Sequence, residues 1–519
     1  MKLAHVTTNK ERITYHADPL RLYQQLTQDV PHTMLLESAE IESKDHLKSM
    51  VMTHSAMMIR CDGYQLTFTA LTDNGLQLLK PIQTFFASAK SELIEHTLTL
   101  TLVKECEMLD EDARLKSVSP LDGLRALVKE ISCGETPAFE DLFLGGVLAY
   151  DLIDTVEPLP TVPQGENTCP DYLFYLAETL ILIDHQLQQA DIVSHLFSTT
   201  DSPVSSSLRD ELSTRVQSLQ AKAEQTRTID PLVPVTAETH VNISDDAFKQ
   251  TVQDLKSHIV AGDIFQVVPS RSFSLPCPNT LGAYRALRLT NPSPYMFYFR
   301  GQDFTLFGAS PESALKYEAH TNQVEIYPIA GTRQRGKTAD GEIDFDLDSR
   351  IELELRLDKK ELSEHLMLVD LARNDVARIS QSGTRKVAEL LKVDRYSHVM
   401  HLVSRVTGQL RSDLDALHAY QACMNMGTLT GAPKVSAAQL IRGAEQSRRG
   451  SYGGAVGYLN SLGDMDTCIV IRSAFVKDGT AYIQAGAGVV FDSDPQAEAD
   501  ETRQKAQAVI SAIKMGGGL

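Results

Sequence analysis

The 519-residue chain contains no tryptophan, and other common features are missing from it as well. No apolar run approaches the roughly 20 residues that a membrane-spanning helix needs. The first residues, MKLAHVTTNKERITYHADPL, lack the apolar core of a signal peptide. Seven cysteines lie far apart and none forms a CxxC pair, so neither a disulfide framework nor a zinc site is expected. The sequence therefore predicts a cytoplasmic protein.

Positive charge is also scarce, because 49 Lys and Arg face 68 Asp and Glu and the net charge is −19. Such a chain would repel the phosphates of a nucleic acid, so a nucleic-acid partner is not expected. No GxxxxGK[ST] loop is present, which argues against a phosphate cofactor. Any anionic substrate must then be held by local groups rather than by the overall field.

The composition, 42% hydrophobic and 23% charged, is typical of a globular protein, and the length allows two or three average domains or one unusually large one. A serine-rich start, a polar helical run and a proline-stiffened segment make residues 201–240 the clearest break. We therefore predict an N-terminal region, 1–240, and a second domain, 241–519. Long antiparallel-looking strands with interspersed helices favour an α+β fold, with sheets in a sandwich-like core and helices outside.

Two pairs of glutamates stand three residues apart on predicted helices. Glu361 and Glu364 form the first pair; Glu498 and Glu501 form the second, on a helix that we expect to begin at Asp494-Pro495. Residues i and i+3 share a helix face, so each pair points two carboxylates one way. Mg²⁺ prefers such oxygens and keeps several waters. Alone, about nine such pairs in ten are merely solvated surface.

Two glycine-containing segments are candidate backbone platforms for an anion. PIAGTRQRG places Gly331 and Thr332 after a predicted strand, YPIA, and QAGAGVV contains Gly486, Ala487 and Gly488. Small residues let a ligand approach the backbone, whose N–H groups bind carboxylate or phosphate. The alternative for each segment is an ordinary turn.

Three polar residues stand in apolar or strand-end surroundings. Arg472, in TCIVIRSAFV, is predicted inside an apolar strand, where it needs an anionic partner or an internal salt bridge. His401 alternates with Val399 and Val403 on a predicted strand, and a core histidine is its simpler interpretation. Glu312 follows a Ser-Pro turn, where a glutamate is ordinarily just a polar loop residue.

Taken in order, eight segments resemble one family. They are FGASPES, PIAGTRxR, ELxEHLMLVDLxRND, YxxVMHLVS, GTLTGAPK, GSYGGAVGY, IRSA and GAGVVxDSxPxxExxET. This series resembles the chorismate-utilising enzymes, which use Mg²⁺ and a dicarboxylate enolpyruvyl substrate. The resemblance covers residues 242–515 strongly and the N-terminal part more loosely.

The resemblance implies roles for these residues. Glu364 and Glu501 would ligate Mg²⁺, which would hold the ring carboxylate, with Glu361 and Glu498 in support. Glu312 would be the general acid that expels the C4 hydroxyl. The remaining positions would contact the substrate, through the backbone, at the enolpyruvyl carboxylate or near the ring: Gly331, Thr332, Gly486, Ala487, Gly488, Tyr452, Arg472, His401 and Thr428.

Two positions distinguish members of the family by chemistry. Relatives that add water to the ring use a lysine where this chain has Gln266, and aminodeoxychorismate-forming relatives use a lysine where it has Ala330. Neither residue can act as a base or nucleophile. The expected reaction is therefore attack of ammonia at C2, then loss of pyruvate to give anthranilate for tryptophan biosynthesis. Isochorismate, salicylate and aminodeoxychorismate synthases remain rivals, as does a catalytically silent sensing partner.

The resemblance also implies partners. No glutaminase nucleophile elbow is present, so a separate glutamine amidotransferase subunit would supply ammonia, in a heterotetramer of two large and two small chains. LLES (35–38) and NPSPYMF (291–297) match segments that form a tryptophan feedback site in the family. Its residues would be Ser38, Pro294, Tyr295 and Met296, whose alternative is a helix cap and a proline turn.

Overall fold

The computed structural model describes residues 2–28, 30–38, 48–104, 109–199, 205–225, 230–338, 340–396 and 399–519. Parts of the predicted linker, 200–204 and 226–229, lie outside this range, whereas every predicted site residue lies within it. None of the helices in the described ranges is long and apolar enough to cross a membrane.

The strands are β1 (Ala4–Ile13), β2 (Thr33–Glu37), β3 (Lys48–Asp62), β4 (Gln65–Ala70), β5 (Lys90–Ile94), β6 (Thr97–Thr101), β7 (Ile131–Ser132), β8 (Phe143–Leu148), β9 (Tyr172–Asp184), β10 (Gln189–Ser198), β11 (His240–Val241), β12 (Gln266–Val267), β13 (Ser270–Pro276), β14 (Tyr295–Arg300), β15 (Thr305–Ser310), β16 (Ser313–Glu318), β17 (Gln323–Ile326), β18 (Ile329–Gln334), β19 (Lys386–Arg395), β20 (Val399–Gln409), β21 (Gly431–Ala432), β22 (Ala455–Asn460), β23 (Met465–Ile469), β24 (Ser473–Lys477) and β25 (Thr480–Gly486).

The α-helices are α1 (Pro19–Thr27), α2 (Asp73–Phe85), α3 (Glu111–Lys116), α4 (Asp122–Glu130), α5 (Ser206–Ala223), α6 (Asp245–Ala261), α7 (Thr280–Thr290), α8 (Phe345–Leu357), α9 (Lys359–Ile379), α10 (Ala416–Cys423), α11 (Gly427–Thr430), α12 (Lys434–Glu445) and α13 (Pro495–Gly516). Two short 3₁₀ helices span Phe139–Asp141 and Tyr150–Thr155.

The strands pair almost entirely antiparallel, the exception among the described strand pairs being β1 with β7. Helices are interspersed along the chain rather than alternating regularly with the strands, so the predicted α+β fold is confirmed. Two pairings, β2 with β14 and β8 with β22, join strands from either side of residue 240. The sheet thus continues across the predicted boundary.

Local sequence signals account for the helices that carry the glutamate pairs. The Asp358 side chain accepts hydrogen bonds from the backbone N–H groups of Lys360 (3.0 Å) and Glu361 (3.2 Å) and so begins α9. The Asp494 side chain accepts one from Ala497 (2.9 Å), with Pro495 at the first helical position of α13. Both are standard N-caps. Each glutamate pair consequently lies within the first two turns of its helix.

Candidate active site

The four glutamates come together where α9 and α13 begin. Burial raises the pKa of the Glu364 carboxyl, and the charges of Glu361 and Glu501 add to the rise. Burial likewise raises the pKa of Glu498, with Glu501 again contributing. Since carboxylates from both helices influence one another, the two predicted faces meet in one acidic site, and mutual repulsion there favours a bound cation.

The chemistry of these donors fits a hard divalent cation. Glu498 is 3% exposed, and its buried Oε2 atom has no hydrogen-bond partner among the residues that the structure describes. Within the described ranges, no group of three or more His, Cys, Asp or Glu side chains is gathered as a closed metal cluster. Mg²⁺ needs no such cage, because it binds through one or two carboxylates and completes its shell with water and substrate.

Two of the predicted glycines lie directly against these carboxylates. A Cβ on Gly331, whose φ is +72°, would come within 3.3 Å of Glu361 Oε2. A Cβ on Gly488 would come within 2.8 Å of Gln266 Nε2 and 3.4 Å of Glu364 Oε1. Gln266 itself donates a hydrogen bond of 2.8 Å to Glu364. The glycines therefore keep the backbone close to the acidic site, where a side chain would intrude.

The sequence predicted that Gly331 and Thr332 come after a strand. In the structure they lie inside β18. The register of β18 against β20 shifts between Ala330 and Thr332, which accommodates the positive φ of Gly331 within the ladder. The shift places Thr332 opposite His401, and its hydroxyl lies 2.9 Å from His401 Nδ1.

His401 is buried on β20, as the strand alternation predicted, but it is not a satisfied core residue. Its Nε2 atom finds no hydrogen-bond partner in the described ranges. Burial, with the nearby charge of Arg472 as a second cause, lowers the pKa of His401 to about 3. The imidazole is therefore neutral at physiological pH, with one ring nitrogen available to a ligand.

Glu312 lies between β15 and β16 and is 6% exposed. Burial raises the pKa of its carboxyl to about 8, although Thr428, Lys505 and Arg472 each offset part of the rise. The Thr428 hydroxyl lies close enough to Glu312 to influence its pKa, yet its buried oxygen has no hydrogen-bond partner within the described part of the chain. A carboxyl that stays protonated at neutral pH can act as a general acid.

The prediction that Arg472 lies inside a strand is wrong. Arg472 occupies the junction between β23 and β24 with φ +47°, a backbone conformation that turns the chain between the two strands. It forms no ion pair within 4.0 Å among the described residues, so the salt-bridge alternative fails there. Burial lowers the pKa of its guanidinium, partly offset by Glu312. A buried cation of this kind suits an anionic ligand.

Tyr452 is buried beside Gly486, the remaining glycine of the two predicted backbone platforms. A Cβ on Gly486 would lie 3.1 Å from the Tyr452 hydroxyl. The Arg449 guanidinium lies 5.5 Å from the centre of the Tyr452 ring, and it donates to the carbonyls of Leu429 (2.8 Å) and Val268 (2.7 Å). Arg449 thus ties Tyr452 to the helix that carries Thr428.

Sequence comparisons agree with this arrangement. Residues 84–511 match the chorismate binding enzyme family. Anthranilate synthase component 1 of Vibrio cholerae is 58% identical over 99% of this chain and 97% of its own length, and that of Escherichia coli is 55% identical over 96% and 95%. The chain belongs to the chorismate-binding enzymes.

Solved structures of this family share the fold. Anthranilate synthase component I from Streptococcus pneumoniae superposes with a TM-score of 0.68 at 28% identity, covering 96% of this chain and 99% of its own. The menaquinone-specific isochorismate synthase MenF of Escherichia coli reaches a TM-score of 0.65 at 17% identity, covering 99% and 95%. At that identity the likeness to MenF concerns the fold alone.

Sequence reasoning missed one residue that contacts the acidic site. Lys505 lies one turn after Glu501 on α13, and its Nζ atom is 2.7 Å from Glu501 Oε1. It also donates a hydrogen bond to the Gly486 carbonyl (3.1 Å). Its positive charge offsets part of the rise in the pKa values of Glu312 and Glu364. The i,i+4 spacing from a glutamate was the available signal, but it is typical of ordinary helix surfaces.

The two segments predicted to bind an effector are brought together in this chorismate-binding enzyme, away from the glutamates. Ser38 Oγ donates a 2.6 Å hydrogen bond to the Pro294 carbonyl, and β2 pairs with β14 immediately beside it. The Tyr295 hydroxyl donates to Asp466 Oδ1 at 3.2 Å. Met296 is 2% exposed and packs into the apolar core.

Proposed function

We propose that this chain is the chorismate-aminating component of an anthranilate synthase. It would convert chorismate and ammonia into anthranilate, pyruvate and water, the first step of tryptophan biosynthesis. The observation that carries the proposal is the opposition of charges in one site, with four glutamates on one side and Arg472 near Glu312 on the other. Lys505 acts on both sides, because it pairs with Glu501 and also influences Glu312. A substrate with two carboxylates needs a metal for one and a cation for the other.

The acidic side would hold a divalent cation, which we propose to be Mg²⁺. Glu364 and Glu501 would be its ligands, and Glu361 and Glu498 would act through water. When bound, the metal would neutralise the ring carboxylate and the glutamates around it. The unpartnered Oε2 of Glu498 and the raised pKa of Glu364 support a site that is incomplete without a cation.

The cationic side would hold the enolpyruvyl carboxylate. Arg472 supplies the charge and Tyr452 a hydroxyl, while the backbone at Gly331, Thr332 and 486–488 would line the rest of the substrate. Because this platform rests directly on the glutamates and on Tyr452, one ligand could contact both sides of the site.

Glu312 would supply the proton that lets the C4 hydroxyl leave as water. The C4–O bond breaks as the ammonia nitrogen forms its bond to C2, and pyruvate is then eliminated as the ring becomes aromatic. Neutral His401, oriented through Thr332, and the Thr428 hydroxyl would position the ring. Ala330 and Gln266 offer no amine, which favours ammonia itself as the nucleophile over a lysine adduct or an activated water.

Ammonia would come from a glutamine amidotransferase subunit, in an assembly of two chains of each kind, which light scattering of the co-expressed pair would test. Tryptophan would bind at the site that Ser38 and the Pro294–Met296 segment form together, and it would inhibit the enzyme. Residues 1–240 would supply most of the effector and partner contacts, and 241–519 the catalytic site. The cytoplasm remains the proposed location, to be checked by cell fractionation.

The test of the reaction is an anthranilate fluorescence assay on the purified chain with chorismate, MgCl₂ and ammonium salt at alkaline pH. We expect fluorescence that requires Mg²⁺ and is suppressed by added tryptophan. Consumption of chorismate without anthranilate would assign the chain to another member of the family. No consumption at all would favour the silent sensing partner.

The metal assignment is tested by Glu364→Gln and Glu501→Gln, which keep the side-chain shape and remove one charge each. We expect loss of activity and of Mg²⁺ binding by calorimetry, with thermal unfolding close to that of the unchanged chain. Glu354→Gln, an exposed position on α8, controls for the change in net charge. Full activity in either test variant would contradict the assignment.

A further inference from the structure

A small cavity lies directly behind Glu312, between the strands β16–β18 and the helices α9 and α11. Its volume is about 20 Å³, which is room for one molecule the size of water. Glu312 and Thr428 line it together with Ile326, Leu368 and Ala372. The cavity therefore opens onto the group that we propose as the general acid.

The residues of α9 that line the cavity lie further along the helix than Glu364, a proposed metal ligand. Glu364 lies one turn before Leu368, and the lining residues of this helix continue from Leu368 to Asp375, about 10 Å further along the axis. Asp375 accepts a 2.6 Å hydrogen bond from Lys434 Nζ. The wall of the cavity beside the proposed catalytic site thus includes Asp375, which is paired with Lys434.

The chemistry of the walls selects the kind of molecule that fits. Ile326, Leu368 and Ala372 are apolar and buried, and the Asp375 carboxylate on the wall is already paired with Lys434, so a further cation would lose its hydration there at high cost. A small neutral molecule is tolerated, and the polar groups beside Glu312 can bind one. Thr428 Oγ1 is buried without a partner and offers both a donor and an acceptor. Ammonia meets these conditions, whereas the ammonium ion does not.

We propose that this cavity holds ammonia in its neutral form immediately before it attacks the substrate. The proposal rests on the proposed function and locates the nucleophile on the Glu312 side of the site. Ammonia would leave the cavity as its lone pair forms the C2–N bond. The C4 hydroxyl departs with the Glu312 proton as water, and a proton from the new C–N⁺ group restores the carboxyl.

The test narrows the cavity without touching the catalytic groups. Ala372→Val adds two carbons to a buried α9 wall and should compete with ammonia for the space. We expect the KM for ammonium to rise at least about tenfold, with kcat at saturating ammonium and the KM for chorismate near those of the unchanged chain. Ala372→Cys, which adds one heavy atom, should give a smaller rise in the same direction if the valine variant unfolds.

Ala286→Val is the matched control, because Ala286 is equally buried in a helix, α7, whose residues do not line the cavity. A KM for ammonium that changes no more in the Ala372 variants than in this control would overturn the proposal. So would a parallel rise in both KM values, which indicates a general distortion of the site. If the unchanged chain makes no anthranilate at all, the proposed function fails first and this assignment falls with it.

Discussion

Glu312→Gln should make the stability of this protein less sensitive to pH, and the size of the effect follows from burial. The carboxyl is 6% exposed, and its pKa rises from the ordinary value of 4.5 to about 8. The folded state therefore holds this proton more tightly than the unfolded state does. Stability is lost as pH rises from about 4.5 towards 8, and the loss then levels off.

The magnitude follows from the two pKa values. At about pH 5.5 the buried carboxyl costs about 1.4 kcal/mol relative to a neutral amide, and at about pH 9 it costs nearly 5 kcal/mol. The advantage of Glu312→Gln over the unchanged chain should therefore grow by about 3 kcal/mol between these pH values. Comparing the two chains cancels the contributions of other titrating groups.

The assay is urea unfolding of both chains at the two pH values, without metal or substrate. The exposed Glu354→Gln variant reports how much of any change comes from net charge alone. The reasoning is refuted if the difference in unfolding free energy between Glu312→Gln and the unchanged chain changes by less than about 1 kcal/mol between the two pH values. That result would mean that the Glu312 carboxyl titrates in its ordinary range and is ionised at neutral pH.

Three further substitutions test other parts of the site. Arg449→Lys cannot keep the forked contacts that position Tyr452, so we expect the KM for chorismate to rise about tenfold with kcat less affected, in steady-state kinetics. Gly488→Ala should weaken Mg²⁺ binding in calorimetry, because the new methyl group meets the Gln266 amide at 2.8 Å, whereas Gly443→Ala, which meets nothing within 4 Å, should not. Ser38→Ala should weaken tryptophan binding in a fluorescence titration, where the ligand is the only indole because the chain contains no tryptophan.

Much of the acidic side could be predicted from the sequence because its signals are local. An Asp-Pro pair before a helix and glutamates at i and i+3 act through nearest neighbours, and α13 begins at Pro495 as expected. The alternation around His401 likewise predicted its strand. Features that depend on contacts within one or two helical turns could therefore be predicted from the sequence.

The cationic side could not be read in the same way. Arg472 has apolar neighbours that resemble a strand, yet with a φ of +47° it lies at the junction where β23 ends and β24 begins. The two strands pair with different partners, β23 with β16 and β22, and β24 with β15 and β25, and no local pattern encodes that change. Lys505 matches a common surface pair, and only the fold reveals that it reaches Gly486. The approach of Ser38 to Pro294 spans 256 residues, and no local pattern encodes it. The resemblance to a family supplied that pairing.

The paired strands β14 and β15 connect the proposed effector region to Glu312 through very few contacts. Tyr295 is paired across the ladder with Ser310, and the Ser310 hydroxyl accepts a hydrogen bond from the Glu312 backbone N–H at 3.3 Å. Only one strand pairing and one hydrogen bond thus separate Tyr295, a proposed effector residue, from the proposed acid. A molecule that displaces β14 would move the anchor of the proton donor with it, without any large rearrangement of the sheet.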